Sequence, residues 1–153
     1  MNTLELRVPP VAVTAVTAAL MWGIARHTPH LAVRASGRVG IATALAGVGA
    51  GVALAGVAGF RRARTTVNPV RPEAASALVT SGVYRVSRNP MYAGFLLALA
   101  GWAVALGHPL ATVGVPVFAG YLTRFQIVPE ERALRAEFGP AFDAYARRVR
   151  RWL

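Results

Sequence analysis

VGIATALAGVGAGVALAGVAGF, residues 39–60, is a run of 22 residues without a charged side chain. As an α-helix it would extend about 33 Å, which is enough to cross a hydrocarbon core of roughly 30 Å. Its glycines at 47 and 51 have the four-residue spacing through which membrane helices approach each other closely. The run therefore predicts a membrane-spanning helix that packs through Gly47 and Gly51.

Three further apolar stretches accompany this run. They cover Val8 to Ile24, Met91 to Leu106 and Leu110 to Val128. The first is predicted to be an uncleaved anchor, because Glu5 offsets the charge of Arg7 and a signal peptide needs a basic start. Together the four stretches predict an all-α, multi-pass membrane protein with about four transmembrane helices, followed by cytosolic C-terminal helices.

Composition supports a membrane protein and excludes several kinds of chemistry. Of the 153 residues, 55% are apolar and a further 15 are Gly, and the mean hydropathy is +0.46. Such a chain is too apolar to be intrinsically disordered. It contains no Cys, which rules out disulfides, thiolate metal sites and cysteine nucleophiles.

The charge of the chain comes from arginine. There are 17 Arg and no Lys against six acidic residues, for a net charge of +11. If both termini are cytosolic, 14 of these Arg lie on the cytosolic side and only Arg26, Arg34 and Arg38 lie outside. The positive-inside rule therefore predicts an integral, multi-pass protein of the cytoplasmic membrane with this orientation.

Neither nucleic acid nor metal is an expected partner. The Arg residues follow the edges of the apolar stretches, and no basic stretch interleaved with aromatic residues suggests nucleic-acid binding. His27 and His30 would share one helical face, but no carboxylate or third ligand lies nearby in the sequence. Membrane lipids are the expected surroundings.

The chain is expected to form one domain of four parts. Residues 1–60 hold two spans, 61–90 a cytosolic connector, 91–128 a helical hairpin and 129–153 cytosolic helices. The turn at residues 107–109 predicts a tight hairpin. Gly139-Pro140 should separate two C-terminal helices. In the second of these, one face would carry the apolar residues Phe142, Tyr145, Val149 and Trp152.

Two polar motifs flank the hairpin. The first is LVTSGVYRVSRNPMYAG, residues 78–94, and the second is the acidic pair Glu130-Glu131. Because the hairpin turns back at His108, both motifs should return to the same membrane surface. Residues far apart in the sequence would thus converge on one site.

These motifs, with EERALRAEFGPAFDAYARRVRRWL at residues 130–153, resemble the isoprenylcysteine carboxyl methyltransferase and phospholipid methyltransferase superfamily of integral membrane enzymes. The resemblance covers Thr65 to Leu153. It implies S-adenosylmethionine bound at the cytosolic membrane face and a hydrophobic, lipid-like methyl acceptor that enters from the bilayer. The cofactor-binding residues that it implies are Ser76, Ala77, Leu78, Val79, Tyr84, Asn89, Pro90, Met91 and Tyr92, with Glu130 as the acidic contact.

The chain departs from this superfamily at two positions. Where the superfamily usually has Arg-His-Pro, this chain has Arg88-Asn89-Pro90. Where prenylcysteine enzymes have an acceptor-binding Arg four residues before the first Glu, it has Gln126. Asn89 can still hydrogen-bond, so cofactor binding is expected to survive, whereas the identity of the acceptor stays open.

The chemistry of the methyl donor gives an independent reason for these residue types. A sulfonium beside an ammonium group requires carboxylates and aromatic faces, which Glu130 or Glu131 can provide with Tyr84 and Tyr92. The carboxylate of the donor requires N–H groups or an Arg, for which Arg88 is the nearest candidate. Catalysis would then consist mainly of alignment and exclusion of water.

The acceptor decides which further residues are needed. A carboxylate acceptor, as in isoprenylcysteine O-methylation, would need a cation to orient it, and Arg124 is the candidate. An amine acceptor, as in phospholipid N-methylation, would need a group that takes up a proton, and Glu131 is the candidate. The remaining alternative is a non-catalytic membrane protein whose Arg-rich surface binds anionic lipids.

Overall fold

The computed structural model describes residues 5–32, 36–64 and 76–153, and these residues form helices, turns and connecting segments without a β-strand. The helices are α1 (Pro10–His27), α2 (Arg38–Arg62), α3 (Pro90–Leu106), α4 (Gly114–Leu122), α5 (Val128–Phe138) and α6 (Pro140–Arg148). The prediction of an all-α chain is confirmed for these ranges. The middle of the predicted connector, with Arg71, and the predicted outside residue Arg34 lie outside the described residues.

One helix within the described ranges, α2, is long and apolar enough to cross a membrane by length and composition. A second apolar helix, α3, is shorter, with 17 residues. The fourth apolar stretch comprises a 3₁₀ turn, Leu110–Val113, the nine residues of α4, a π-helical turn, Thr123–Ile127, and the first residue of α5. The predicted number of about four spans is therefore not confirmed.

The closest helix contact joins α2 to α3 through glycine. A Cβ atom on Gly49 would lie 2.5 Å from the carbonyl oxygen of Gly94, so the two backbones touch at this point. Gly56, two turns along α2, packs against the first turn of α3, where the Met91 side chain is its nearest neighbour. Gly47 and Gly51 have no such neighbour within 4 Å, so the predicted contact through these two glycines is wrong. In a helix this rich in Gly and Ala several faces carry small residues, and only the partner helix decides which face is used.

The predicted hairpin is present. Gly107 ends α3 in the left-handed conformation, with φ of 59°, and the chain turns back into α4. From there the helix runs through a π-helical turn, Thr123–Ile127, directly into α5. Pro129 has no N–H to donate to the carbonyl of Phe125, and that carbonyl instead accepts the N–H of Leu6 at 3.0 Å.

The C-terminal segment folds back onto the start of α3. Gly139, with φ of 47°, separates α5 from α6 as predicted. Phe142 and Tyr145 of α6 are buried against the protein. The helix ends at Arg148, so the prediction that Val149 and Trp152 continue its apolar face is wrong. Residues 149–153 instead form a tail, defined here as the C-terminal tail, and its backbone pairs with that of the connector.

Candidate active site

A cavity of about 80 Å³, partly open to its surroundings, lies where the end of α2, the connector, the start of α3, α5 and α6 meet. Its lining is mostly apolar and aromatic, with two carboxylates and one guanidinium. The lining residues are Phe60, Tyr84, Arg88, Asn89, Pro90, Met91, Tyr92, Glu130, Glu131, Leu134, Phe142 and Tyr145. The structure thus brings together the two motifs that flank the hairpin.

Glu130 receives two hydrogen bonds and both reach the same oxygen. Tyr92 donates its hydroxyl to Oε1 at 2.5 Å, and Gln126 donates its amide to Oε1 at 2.6 Å. Burial raises the pKa of Glu130 to about 7, although both hydrogen bonds act to lower it. No Arg in the described part of the chain pairs with Glu130. It is therefore a carboxylate without a cationic partner at the wall of an apolar cavity.

Glu131, the next residue, has the opposite surroundings. It lies between the guanidinium groups of Arg88 and Arg151, each 2.7 Å away. Burial acts to raise the pKa of Glu131, but the hydrogen bonds from Arg151 and Arg88 outweigh it and hold that pKa below its usual range. A carboxylate held in this way is a weak base. The role of Glu131 in taking up a proton stays a prediction.

Arg88 and Asn89 hold the C-terminal tail in place. Besides Glu131, the Arg88 guanidinium donates to the carbonyl oxygens of Ala146 at 3.0 Å and Val149 at 2.5 Å. The amide of Asn89 donates to the carbonyl of Arg151 at 2.8 Å. Arg88 borders the cavity, but these contacts occupy much of its hydrogen-bonding capacity.

Two tyrosines form an aromatic wall. Tyr145 donates its hydroxyl to the carbonyl of Tyr84 at 2.7 Å, which fixes α6 to the connector. The Tyr84 ring meets the Phe60 ring edge to face at 5.3 Å. Burial raises the pKa of Tyr145 to about 12, so its hydroxyl stays protonated and keeps donating at neutral pH.

Several predicted site residues lie away from the cavity. Arg124 is about half exposed and pairs with Glu5 at 2.9 Å, on the other side of the helix. The implied cofactor contacts Ser76, Ala77, Leu78 and Val79 do not line the cavity either. Ser76 is exposed, whereas Val79 is buried. These residues do not line the cavity, and their roles stay predictions.

Other residues at the site were not foreseen. Phe60, Leu134, Phe142 and Tyr145 line the cavity, and Gln126 supports it from behind. The spacing of Phe142 and Tyr145 on one helical face was a usable signal, because it marked a buried side of α6. Phe60 and Leu134 are ordinary apolar residues, and nothing in the sequence separates them from their neighbours.

A helical hairpin carries an acid, two tyrosines and an Arg-Asn-Pro turn to one apolar cavity, and these are the motifs through which the sequence resembles helical membrane methyltransferases. Within this class, the profile of the phospholipid methyltransferase family matches residues 38–141. The chain belongs to this family. The match begins at α2 and ends at the start of α6, so it includes the hairpin and both flanking motifs.

Two relatives described below are named as methyltransferases. The chain is 43% identical over 63 residues, 41% of its length, to the whole of an uncharacterized protein from Haemophilus influenzae. It is 38% identical over 88 residues to a probable protein-S-isoprenylcysteine O-methyltransferase from Oryza sativa subsp. indica. It is also 41% identical over 70 residues to methanethiol S-methyltransferase 2 from Bradyrhizobium diazoefficiens.

The two named enzymes are longer than the matched region. The match spans 58% of this chain and 46% of the rice protein, and 44% of this chain and 25% of the bacterial protein. No solved structure matches the chain significantly. The relatives therefore imply a methyl donor, while the methyl acceptors in the names of the two enzymes differ from each other.

Proposed function

We propose that the protein transfers a methyl group from S-adenosylmethionine to a hydrophobic acceptor at the cytosolic face of the membrane. The observation that carries this proposal is Glu130, whose carboxylate has no cationic partner among the described residues and borders an apolar cavity lined by tyrosines. An ionised carboxylate in such a place is costly unless a cation compensates it. A ligand that carries positive charge next to an apolar body fits this requirement.

The cavity suits the positive end of the donor in its chemistry. Its volume of about 80 Å³ is below the roughly 300–1,000 Å³ of small-molecule sites, so the cavity would widen around the rest of the donor on binding. Glu130 would take the positive end of the donor, and Tyr84 and Tyr92 offer aromatic faces beside it. Met91, Asn89 and Pro90 would border the remainder. When bound, the donor supplies an activated methyl group on a sulfonium sulfur.

The residues of the chain contribute alignment and exclusion of water. The aromatic wall bounds the cavity, and its open side leaves a route for the acceptor. In a desolvated site the transfer needs little proton chemistry when the acceptor is a carboxylate or a thiolate. An amine acceptor would need a base, and Glu130, with its raised pKa, is better suited to that task than Glu131.

The acceptor in this proposal is lipid-like. The isoprenylcysteine relatives favour a carboxylate of that type, and phospholipid amines are the alternative that the family profile keeps open. The cation proposed for a carboxylate, Arg124, has no contact with the cavity and pairs with Glu5. Methylating membranes with labelled donor separates the two acceptors, because label in an ester is released by base and label in an amine is retained.

The proposed topology follows the distribution of Arg. α1 to α4 would lie in a cytoplasmic membrane with both termini cytosolic, which places the cavity at the cytosolic surface. The apolar runs and the Arg excess at that surface support this arrangement.

Calorimetric titration of the purified protein in detergent tests the proposal. Wild type is expected to bind S-adenosylmethionine, and Glu130→Gln is expected to bind it at least tenfold more weakly, about 1.4 kcal/mol. Glu137→Gln, an exposed carboxylate on the same helix, is the matched control and should bind like wild type.

Two outcomes would contradict the proposal. Equal affinity in wild type and Glu130→Gln would remove Glu130 from the site. No donor binding at any salt concentration, with salt-sensitive binding to anionic vesicles, would instead support the non-catalytic alternative.

A further inference from the structure

Gln126 is one of the most deeply buried polar residues in the described part of the chain, with 2% of its surface exposed. It lies in the π-helical turn, one helical turn before Glu130, so the two side chains lie on the same side of the helix. π-helical turns inside α-helices are frequent at functional sites. Gln126 does not line the cavity and must act through a residue that does.

The hydrogen bonds at Glu130 are asymmetric. Oε1 accepts from both Gln126 and Tyr92, and no donor among the described residues reaches Oε2. Every fully buried side-chain oxygen in these ranges has a partner, so Oε2 is not fully buried. Oε1 of Glu130 is thus held by two hydrogen bonds, while Oε2 is partly exposed at the wall of the cavity.

The π-helical turn is itself fixed from the opposite side. Glu5 pairs with Arg124 at 2.9 Å and with Arg132 at 2.5 Å, so it connects residues before and after the Gln126–Glu130 pair. The N–H of Leu6 donates to the carbonyl of Phe125 in the same region. This bracing restricts rotation of the segment and keeps the Gln126 amide directed at Glu130.

We propose that Gln126 is a positioning residue: together with Tyr92 it holds one oxygen of Glu130, so that the other is presented to the positive end of the bound ligand. This inference rests on the proposed function, because it assumes a cationic ligand in the cavity. It assigns a role to the position at which this chain lacks the acceptor-binding Arg of prenylcysteine enzymes. A neutral amide supports Glu130 without neutralising it, whereas a guanidinium there would compete with the ligand for the same charge.

Gln126 also affects the charge state of Glu130. The hydrogen bond that it donates favours the ionised carboxylate and lowers the pKa of Glu130 against the effect of burial. The other titratable or charged groups that face this cavity come from α3, the connector, α5 and α6. They are Tyr92, Tyr84, Arg88, Glu131 and Tyr145.

The test replaces Gln126 by Met, which has a similar size but no amide. Removing one hydrogen bond to a charged group should raise the pKa of Glu130 by about one to two units. The ratio of wild-type to Gln126→Met affinity for S-adenosylmethionine should then be about tenfold or more near pH 6 and should fall toward pH 9, where Glu130 is mostly ionised in wild type and the loss of positioning remains. The titration of the ligand itself cancels in this ratio. Thr14→Val, which removes a hydrogen bond from α1, is the control and should follow wild type at every pH.

A second measurement separates positioning from a general effect on folding. In the Glu130→Gln background, adding Gln126→Met should change donor affinity by much less than it does in wild type, because the proposed role of Gln126 is exerted through Glu130. Thermal unfolding without donor should show the same upward displacement of the Glu130 titration in Gln126→Met.

Each failure has a distinct meaning. If wild type binds S-adenosylmethionine and Gln126→Met binds it as tightly at both pH 6 and pH 9, the inference about Gln126 is wrong and the proposed function stands. Additive effects of the two substitutions would also overturn it. If wild type binds no donor at any pH, the proposed function is wrong and the inference falls with it.

Discussion

The strongest consequence of the site is that Glu130 makes the folded protein less stable as the pH rises. Its pKa rises from an ordinary value of 4.5 to about 7 in the folded state. Below the lower pKa, Glu130 is protonated in both the folded and the unfolded state, so it does not change the free energy of unfolding with pH. Between the two values the unfolded chain releases its proton while the folded chain keeps it, so the free energy of unfolding falls by about 1.4 kcal/mol per pH unit.

The magnitude follows from the difference between these two pKa values. It amounts to about 3 kcal/mol lost by pH 8, or about 6 to 12 °C in the melting temperature of a chain of this length. The Glu130→Gln variant has no such titration. The melting temperature of wild type relative to this variant should therefore fall between about pH 5 and pH 8.

Thermal unfolding in detergent without donor measures this difference directly. Glu137→Gln, from the exposed face of α5, is the control and should run parallel to wild type at each pH. A constant difference between wild type and Glu130→Gln across the whole range would refute the reasoning, because it would mean that water solvates the Glu130 carboxylate in the folded protein.

Two further predictions concern architecture. Glu131→Gln should lower the free energy of unfolding by about 2 to 4 kcal/mol and expose the C-terminal tail to proteolysis, because two guanidinium groups lose their largely buried carboxylate. Asp143→Asn, which breaks an exposed ion pair, should lower the free energy of unfolding by less than about 1 kcal/mol, and an equal loss in the two variants would contradict this prediction. Gly49→Ala should lower the free energy of unfolding by about 1 to 3 kcal/mol, because the added Cβ would meet the α3 backbone, whereas Gly51→Ala should be neutral or stabilising. Equal melting temperatures for these two variants would count against the α2–α3 contact.

The features that could be predicted from the sequence are those determined by neighbouring residues. The apolar runs locate α2 and α3, and Pro90 and Gly107 bound α3. The convergence of Tyr92 with Glu130 follows from hairpin length, since a chain that turns back once must return to the same end.

Features that depend on a distant partner could not be predicted in this way. Arg124 is paired with Glu5, which is 119 residues away, and no local pattern indicates that contact. The choice of Gly49 over Gly47 depends on how α3 lies against α2. Trp152 leaves the helical pattern because the tail bends back toward the π-helical turn, where its indole N–H donates to Thr123 at 3.1 Å. Each case requires the three-dimensional arrangement of a second segment.

The pair Glu130-Glu131 shows how two identical side chains acquire different tasks. Consecutive residues on a helix are rotated by about 100°, so one side chain meets Tyr92 and Gln126 while the next meets Arg88 and Arg151. The two cations lower the pKa of Glu131 and connect it to the tail, and burial without a cation raises that of Glu130. Environments that separate the pKa values of adjacent acids are a mark of functional sites. Since the fold already satisfies the charge of Glu131, Glu130 is the carboxylate left for a cationic ligand.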